Sequence, residues 1–178
     1  ATFQGKWAKD SFGEMIESDL ESEGIAFDTP SRQADSKTGF AHVWVEQSTG
    51  RRSIAAFRGS HQIDEREIKA DLLANHAALH LDGWSTDAAI KATRIMRTNG
   101  GIVFLDLGSP KPHLPKLLAQ VDSVNCPLSL FHKLYATDDP ARGARELMKH
   151  GPQQVTVTEG GNGAWLFQSG HPGIHQPA

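Results

Sequence analysis

Ala77-Ala78-Leu79-His80-Leu81-Asp82-Gly83 and, further on, Asn99-Gly100-Gly101-Ile102-Val103-Phe104-Leu105 decide the fold. Each holds a short apolar run of strand length with glycine at one end. Between them Ala89, Ile90, Ala92, Thr93 and Met96 recur at helical spacing, which predicts a helix over Thr86 to Thr98. Strand, helix and strand in that order make a parallel pair joined by a right-handed crossover.

The same alternation continues downstream. A proline-bounded helix is predicted near Leu114 to Gln120, then a short strand at Val121 to Val124. Asp139-Pro140 places a capping carboxylate before a proline at the first helical position, and that helix should end near His150-Gly151. Gln154 to Thr158 reads as the next strand. The outcome is an α/β fold with a layered, mainly parallel sheet.

Upstream the pattern differs. Asp64 and Glu67 can cap a helix running to about Ala74, and Ser11 and Glu14 have the spacing of a capping box. Phe12, Met15, Ile16 and Leu20 then share a helical face, with Gly24 as the stop. Phe40 to Val45 and Arg51 to Phe57, joined through Ser48-Thr49-Gly50, predict a β-hairpin. Phe40, His42 and Trp44 fall on one side of it, with Ala41, Val43 and Val45 on the other. Two largely apolar faces imply that neither is fully bathed in water, the expected cover being strands that precede Ala1 or a second subunit. The hairpin, taken as residues 36–59, is flanked by polar stretches at Arg32 to Thr38 and Ser60 to Asp64, the first resembling a hinge. The final run, Ser169 to Ala178, is turn-rich without apolar period.

The 178 residues suit one domain, or at most a domain with a small appendage, and 38% hydrophobic content excludes a disordered chain. Eighteen Lys and Arg against 21 Asp and Glu give a net charge of −3, with no basic surplus for a nucleic-acid partner. No apolar stretch nears the roughly 20 residues that span a bilayer, so no membrane partner is expected. A single cysteine, Cys126, cannot form an internal disulfide, which suits a reducing compartment; a cytoplasmic protein is expected. His76 and His80, and His171 and His175, lack a third ligand at metal-binding spacing, so no metal-ligating residues are assigned.

The strongest chemical signal is Val155-Thr156-Val157-Thr158-Glu159-Gly160-Gly161-Asn162-Gly163-Ala164. A strand delivers Thr158 to its carboxyl end, and three glycines let backbone N–H groups converge on a phosphate. The same residues also fit a plain glycine-rich hairpin. Asp82 ends another apolar strand, at the edge where open α/β sheets bind ligands. There it can accept hydrogen bonds from substrate hydroxyls, or simply cap the next segment. Asp106 has the same placement and the same two readings.

Taken in order, these segments resemble the ribokinase-like (PfkB) family of sugar kinases. Gly5-Lys6-Trp7-Ala8-Lys9-Asp10-Ser11-Phe12-Gly13 is similar to that family's G-x-V-G-x-D-x-F-G. Lys37-Thr38-Gly39-Phe40-Ala41 and the hairpin resemble its lid strands. Leu79-His80-Leu81-Asp82-Gly83 resembles the strand ending at a sugar-contacting position, and Leu114 to Leu118 with Val121-Asp122 the run before the nucleotide half. Val157 to Ala164 is similar to the family's ATP-contacting V-T-x-G-x-x-G-A.

The resemblance implies a ribokinase-like layered α/β/α fold with a small β lid, covering residues 1–178 as part of a kinase domain. It implies ATP-dependent phosphorylation of a sugar-like hydroxyl, with ATP and Mg2+ as cofactors. Asp82, Ala41 and Ile54 would contact substrate, and Thr158, Gly160 and Gly163 the nucleotide. Such lids often pair, so a homodimer through Phe40, His42 and Trp44 is expected. The family's early sugar site would precede Ala1, and its G-A-G-D motif with the catalytic Asp would follow Ala178. The chain is therefore expected to be the middle of a larger kinase, inactive alone, and no catalytic residue is assigned. The family's N-x-x-E motif falls on Pro127-Leu128-Ser129-Leu130, which has no carboxylate. Two other readings stay open: a non-catalytic binding domain on this fold, and a nucleoside or vitamin kinase.

Overall fold

The computed structural model describes residues 1–27, 32–33, 36–59 and 61–178, with the backbone alone at 32–33. The polar stretches 32–38 and 60–64 therefore lie partly outside the described residues. The chain divides into two units, Ala1–Ile63 and Asp64–Ala178.

In the first unit, β1 (Thr2–Phe3) pairs in parallel with β3 (Ala26–Phe27), and β2 (Trp7–Ala8) with β4 (Arg32–Gln33). Helix α1 spans Ser11–Ser22. Its cap is Asp10 rather than the expected Ser11: the Asp10 carboxylate accepts from Gly13 N at 2.9 Å. A capping box is out of reach from that position, because the third helical residue is glycine. Gly13 is required for another reason, since a Cβ there would lie 1.9 Å from the Ala8 carbonyl oxygen. Asp10 also accepts from the Thr38 hydroxyl at 2.6 Å and from Thr38 N at 3.0 Å. The Thr38 oxygen in turn accepts from Ala8 N at 2.9 Å. Thr38, predicted as part of a polar hinge, is thus buried. These bonds, led by the Thr38 hydroxyl, hold the Asp10 carboxyl below its ordinary range.

The hairpin forms as predicted, from β5 (Phe40–Val45) and β6 (Arg52–Phe57) in antiparallel register from Phe40↔Phe57 to Val45↔Arg52. All twelve strand residues are exposed. Trp44 and Val45 reach 60% and 63%. Phe40, His42 and Trp44 form a ladder of adjoining rings, and Phe12 of α1 stacks on Phe40 at 5.3 Å.

The second unit is built on one six-stranded sheet. The segments β7 (Ala78–Leu81), β8 (Ile102–Asp106), β9 (Ser123–Pro127) and β10 (Gln154–Thr158) lie side by side in parallel. Then β11 (Ala164–Gln168) and β12 (Ile174–Gln176) add antiparallel strands. The predicted strand at Val121 to Val124 begins later, because Val121 is buried in the turn after the preceding helix. The run Ser169 to Ala178, read as turns, contributes β12.

Helices α3 (Thr86–Thr98), α4 (Leu114–Leu118), α5 (Leu128–Tyr135) and α6 (Pro140–Met148) supply the core with Ile90, Met96, Leu117, Leu118, Phe131 and Leu147. Against them lie Val103, Leu105, Val124, Cys126, Val155 and Val157, all at most 1% exposed. Alternate residues facing the other way are open, Ile102 at 50% and Phe104 at 41%. The helix predicted from Asp64 to Ala74 is broken. Asp64 and Glu67 do form a reciprocal capping box on a 3-10 turn at Glu65–Glu67. Ile68 and Lys69 then turn extended, burying Ile68, before α2 (Ala70–Ala74) begins.

Candidate functional site

Parallel strands end at one edge of a sheet, and that edge is where the sequence-predicted residues of the second unit gather. Asp82 follows β7, Asp106 ends β8, Pro127 ends β9 and Thr158 ends β10. Three strand spacings separate the first from the last, roughly 14 Å. The edge is thus wide enough for a small hydroxyl compound at one end and a nucleotide's phosphates at the other.

At the β7 end, Asp82 Oδ1 accepts from Trp84 N at 2.9 Å, closing a tight turn. Asp82 thus closes a local turn and does not cap α3, whose N-cap is Ser85 with no side-chain bond, and its side chain remains exposed. The Thr86 hydroxyl donates to the Gly83 carbonyl at 3.1 Å, joining this turn to the first turn of α3. Lys111 Nζ sits 3.9 Å from the centroid of the Trp84 ring, a cation–π contact at the same edge. At the next strand end, Asn125 Nδ2 reaches Asp106 Oδ1 at 3.4 Å.

At the β10 end, the residues after Thr158 form a hairpin into β11, as the plainer of the two readings requires. A 3-10 turn over Gly160–Asn162 closes it, with Glu159 N donating to Gly163 O at 2.8 Å. The two glycines assigned to nucleotide are glycine for different reasons. Gly160 has φ +58 with open space around a Cβ, so only the backbone conformation demands it. Gly163 has φ +93, and a Cβ would also fall 2.0 Å from the Gln176 carbonyl oxygen of β12. Thr158, Gly160 and the neighbouring Gly161 are exposed.

Ala41 and Ile54 belong to the first unit. Ala41 pairs with Ala56 and Val43 with Ile54, so both lie on one face of the hairpin, and both are exposed.

Three side chains meet at the glycine turn. Trp165 Nε1 donates to Glu159 Oε2 at 2.9 Å, and the His175 ring lies 4.5 Å from that of Trp165. Glu159 and Trp165 meet across the local β10–β11 hairpin, whereas Trp165 and His175 meet through the β11–β12 register, which sequence spacing does not reveal.

A protein-held magnesium does not fit the described residues. Where the resemblance calls for a carboxylate, Leu130 is 1% exposed and packs in the core. Among the described residues no three of His, Cys, Asp and Glu come together as a metal site. Cys126 is buried on β9, where desolvation first and the Asp106 carboxylate second push its thiol up to about 12. It is unsuited to act as a nucleophile. No helix of the described residues is long and apolar enough to cross a membrane.

Comparison with solved structures shows where this architecture recurs. An adenosine kinase from Sinorhizobium meliloti superposes with a TM-score of 0.86 at 20% identity, over 100% of this chain and 58% of that one. A ribokinase from Thermotoga maritima gives 0.75 at 18%, over 99% and 59%. An Arabidopsis thaliana ribokinase, solved with ribose and ATP, gives 0.74 at 21%, over 99% and 60%. The fold is thus ribokinase-like, and the chain spans about 60% of the length of these structures. No curated relative matches it in sequence. The profile of the pfkB family carbohydrate kinases matches residues 1–178 from end to end. This chain belongs to the pfkB family of carbohydrate kinases.

Proposed function

We propose that this chain is the part of an ATP-dependent kinase that presents both substrates at one sheet edge, for phosphoryl transfer to a hydroxyl of a sugar or sugar-like small molecule. The observation that carries this is the shared edge, with Asp82 at the β7 end and Thr158, Gly160 and Gly163 at the β10 end. The solved Arabidopsis relative binds ribose and ATP together, which supports the same pairing of ligands here. Asp82 accepts hydrogen bonds from substrate hydroxyls while its turn to Trp84 fixes the carboxylate's direction. Thr158 and the glycine turn receive the phosphates. Positioning and fixed donors provide most of the catalysis in such transfers. Magnesium is assigned to the nucleotide's phosphates, and no step is drawn through it.

Residues 36–59 serve as the lid. Ala41 and Ile54 face the substrate, and the ring ladder Phe40, His42 and Trp44 meets a second copy to form a homodimer. The exposure of both hairpin faces supports a partner on each. The competing reading, a non-catalytic binding domain, draws support from the core leucine at Leu130.

The test is nucleotide turnover by the full-length protein against pentoses, hexoses and nucleosides. ADP release with one hydroxyl compound supports the kinase; ligand binding without turnover for every compound supports the binding domain. Within an active enzyme, Asp82→Ala should weaken binding of the hydroxyl substrate by about 1.5–3 kcal/mol, the range for a charge-assisted hydrogen bond, and leave ATP affinity nearly unchanged. A lower melting temperature with unchanged kinetics would reduce Asp82 to its turn.

A further inference from the structure

The last strand, β12, does little for the core. All three of its residues are exposed, Ile174 at 63%. Its contacts lead instead to the glycine turn. The pair Ala164↔Gln176 brings the β12 backbone beside Gly163, close enough that any Cβ would strike the Gln176 carbonyl oxygen at 2.0 Å. His175 Nε2 lies 2.9 Å from the Asn162 carbonyl oxygen inside the turn. A carbonyl only accepts, so the imidazole donates and carries its proton on Nε2. The ring also lies against Trp165, whose indole N–H holds the Glu159 carboxylate at the turn's other shoulder. Both shoulders, Glu159 and Asn162, are thereby held by side chains of β11 and β12.

We propose that His175 is a positioning residue for the nucleotide turn. By fixing the Asn162 carbonyl, and by bracing Trp165 against Glu159, it holds Gly160 to Gly163 in the one arrangement that receives phosphate. The inference rests on the nucleotide reading of that turn. It adds that the turn is preorganised from β12, so ordering it costs the nucleotide little binding energy.

The experiment measures ATP and hydroxyl-substrate affinities by calorimetry in the full-length protein for wild type, His175→Ala, His175→Gln and Gly160→Val. Loss of one neutral hydrogen bond predicts about three- to tenfold weaker ATP binding for His175→Ala. Substrate affinity should stay within about twofold. His175→Gln keeps a donor near the Nε2 position and should recover most of the loss, which a merely structural role would not predict. If Gly160→Val weakens ATP binding while His175→Ala leaves it at wild type, His175 does not position the turn and the nucleotide reading stands. If Gly160→Val binds ATP like wild type in a folded protein, the nucleotide reading fails and this inference falls with it.

Discussion

The sheet of the second unit and the β5–β6 hairpin of the first are both built from apolar β-rich sequence, yet they end in opposite surroundings. Inward-facing residues of β8, β9 and β10 are at most 1% exposed beneath the helices, while every residue of the hairpin is exposed. Composition does not separate Val103 from Val43; what differs is whether a helix returns to cover the strand. A crossover helix is tied to its strands by connection, so each new parallel strand brings its own cover. A two-stranded hairpin brings none and is marginal by itself. The sheet therefore carries its own cover, and the hairpin presents its side chains to the outside.

Replacing a side chain beneath the sheet should have the largest effect. Phe131 is fully buried, and Phe131→Ala should cost about 3–5 kcal/mol by denaturant unfolding. A loss under about 1 kcal/mol would mean that the helical layer packs loosely, and the contrast with the hairpin would weaken.

A smaller effect follows from acid. The Asp10 carboxyl is held below its ordinary value of 3.8 by the Thr38 hydroxyl and by backbone N–H groups. A group with a depressed folded pKa adds stability above its unfolded value and loses it as pH falls through the folded one. The first unit should therefore lose order below about pH 4, and Asp10→Asn should flatten that acid limb. Amide exchange of Ala8, Gly13 and Thr38 measures it; an unchanged acid limb would show that the three bonds to Asp10 contribute nothing.

The smallest effect on stability belongs to the hairpin. Trp44→Ser removes an exposed ring and should change unfolding by less than about 0.5 kcal/mol. Under the lid proposal the same change should shift the monomer–dimer equilibrium toward monomer by sedimentation. Equal dimer content with and without the ring would free Trp44 from any interface.

Much of this was legible in the sequence, for reasons that also explain the rest. The β7–α3–β8 unit and the α6–β10 pair carry clear periods, and Asp139 caps α6 by accepting from Ala141 N and Arg142 N. Helix α5 was not foreseen because its ends carry no chemical mark. It starts directly after Pro127 with no capping side chain and stops at Ala136, a left-handed residue at φ 49 where glycine would have signalled the end. Strand β12 was missed because an exposed edge strand of three residues needs no apolar alternation. The strand-end positions of Asp82 and Thr158 followed from the α/β pattern, whereas the Trp165–His175 contact depends on a β11–β12 register that only folding sets.

Cys126 gives the sheet a built-in reporter. Its thiol sits fully buried at the centre of the parallel strands, with its pKa at about 12, so near neutral pH it offers reagents neither access nor thiolate. Alkylation must wait for the strands to part. Its rate then counts opening events of the core and of nothing else, since this is the chain's only cysteine. Any ligand that slows that clock must be bracing the sheet itself.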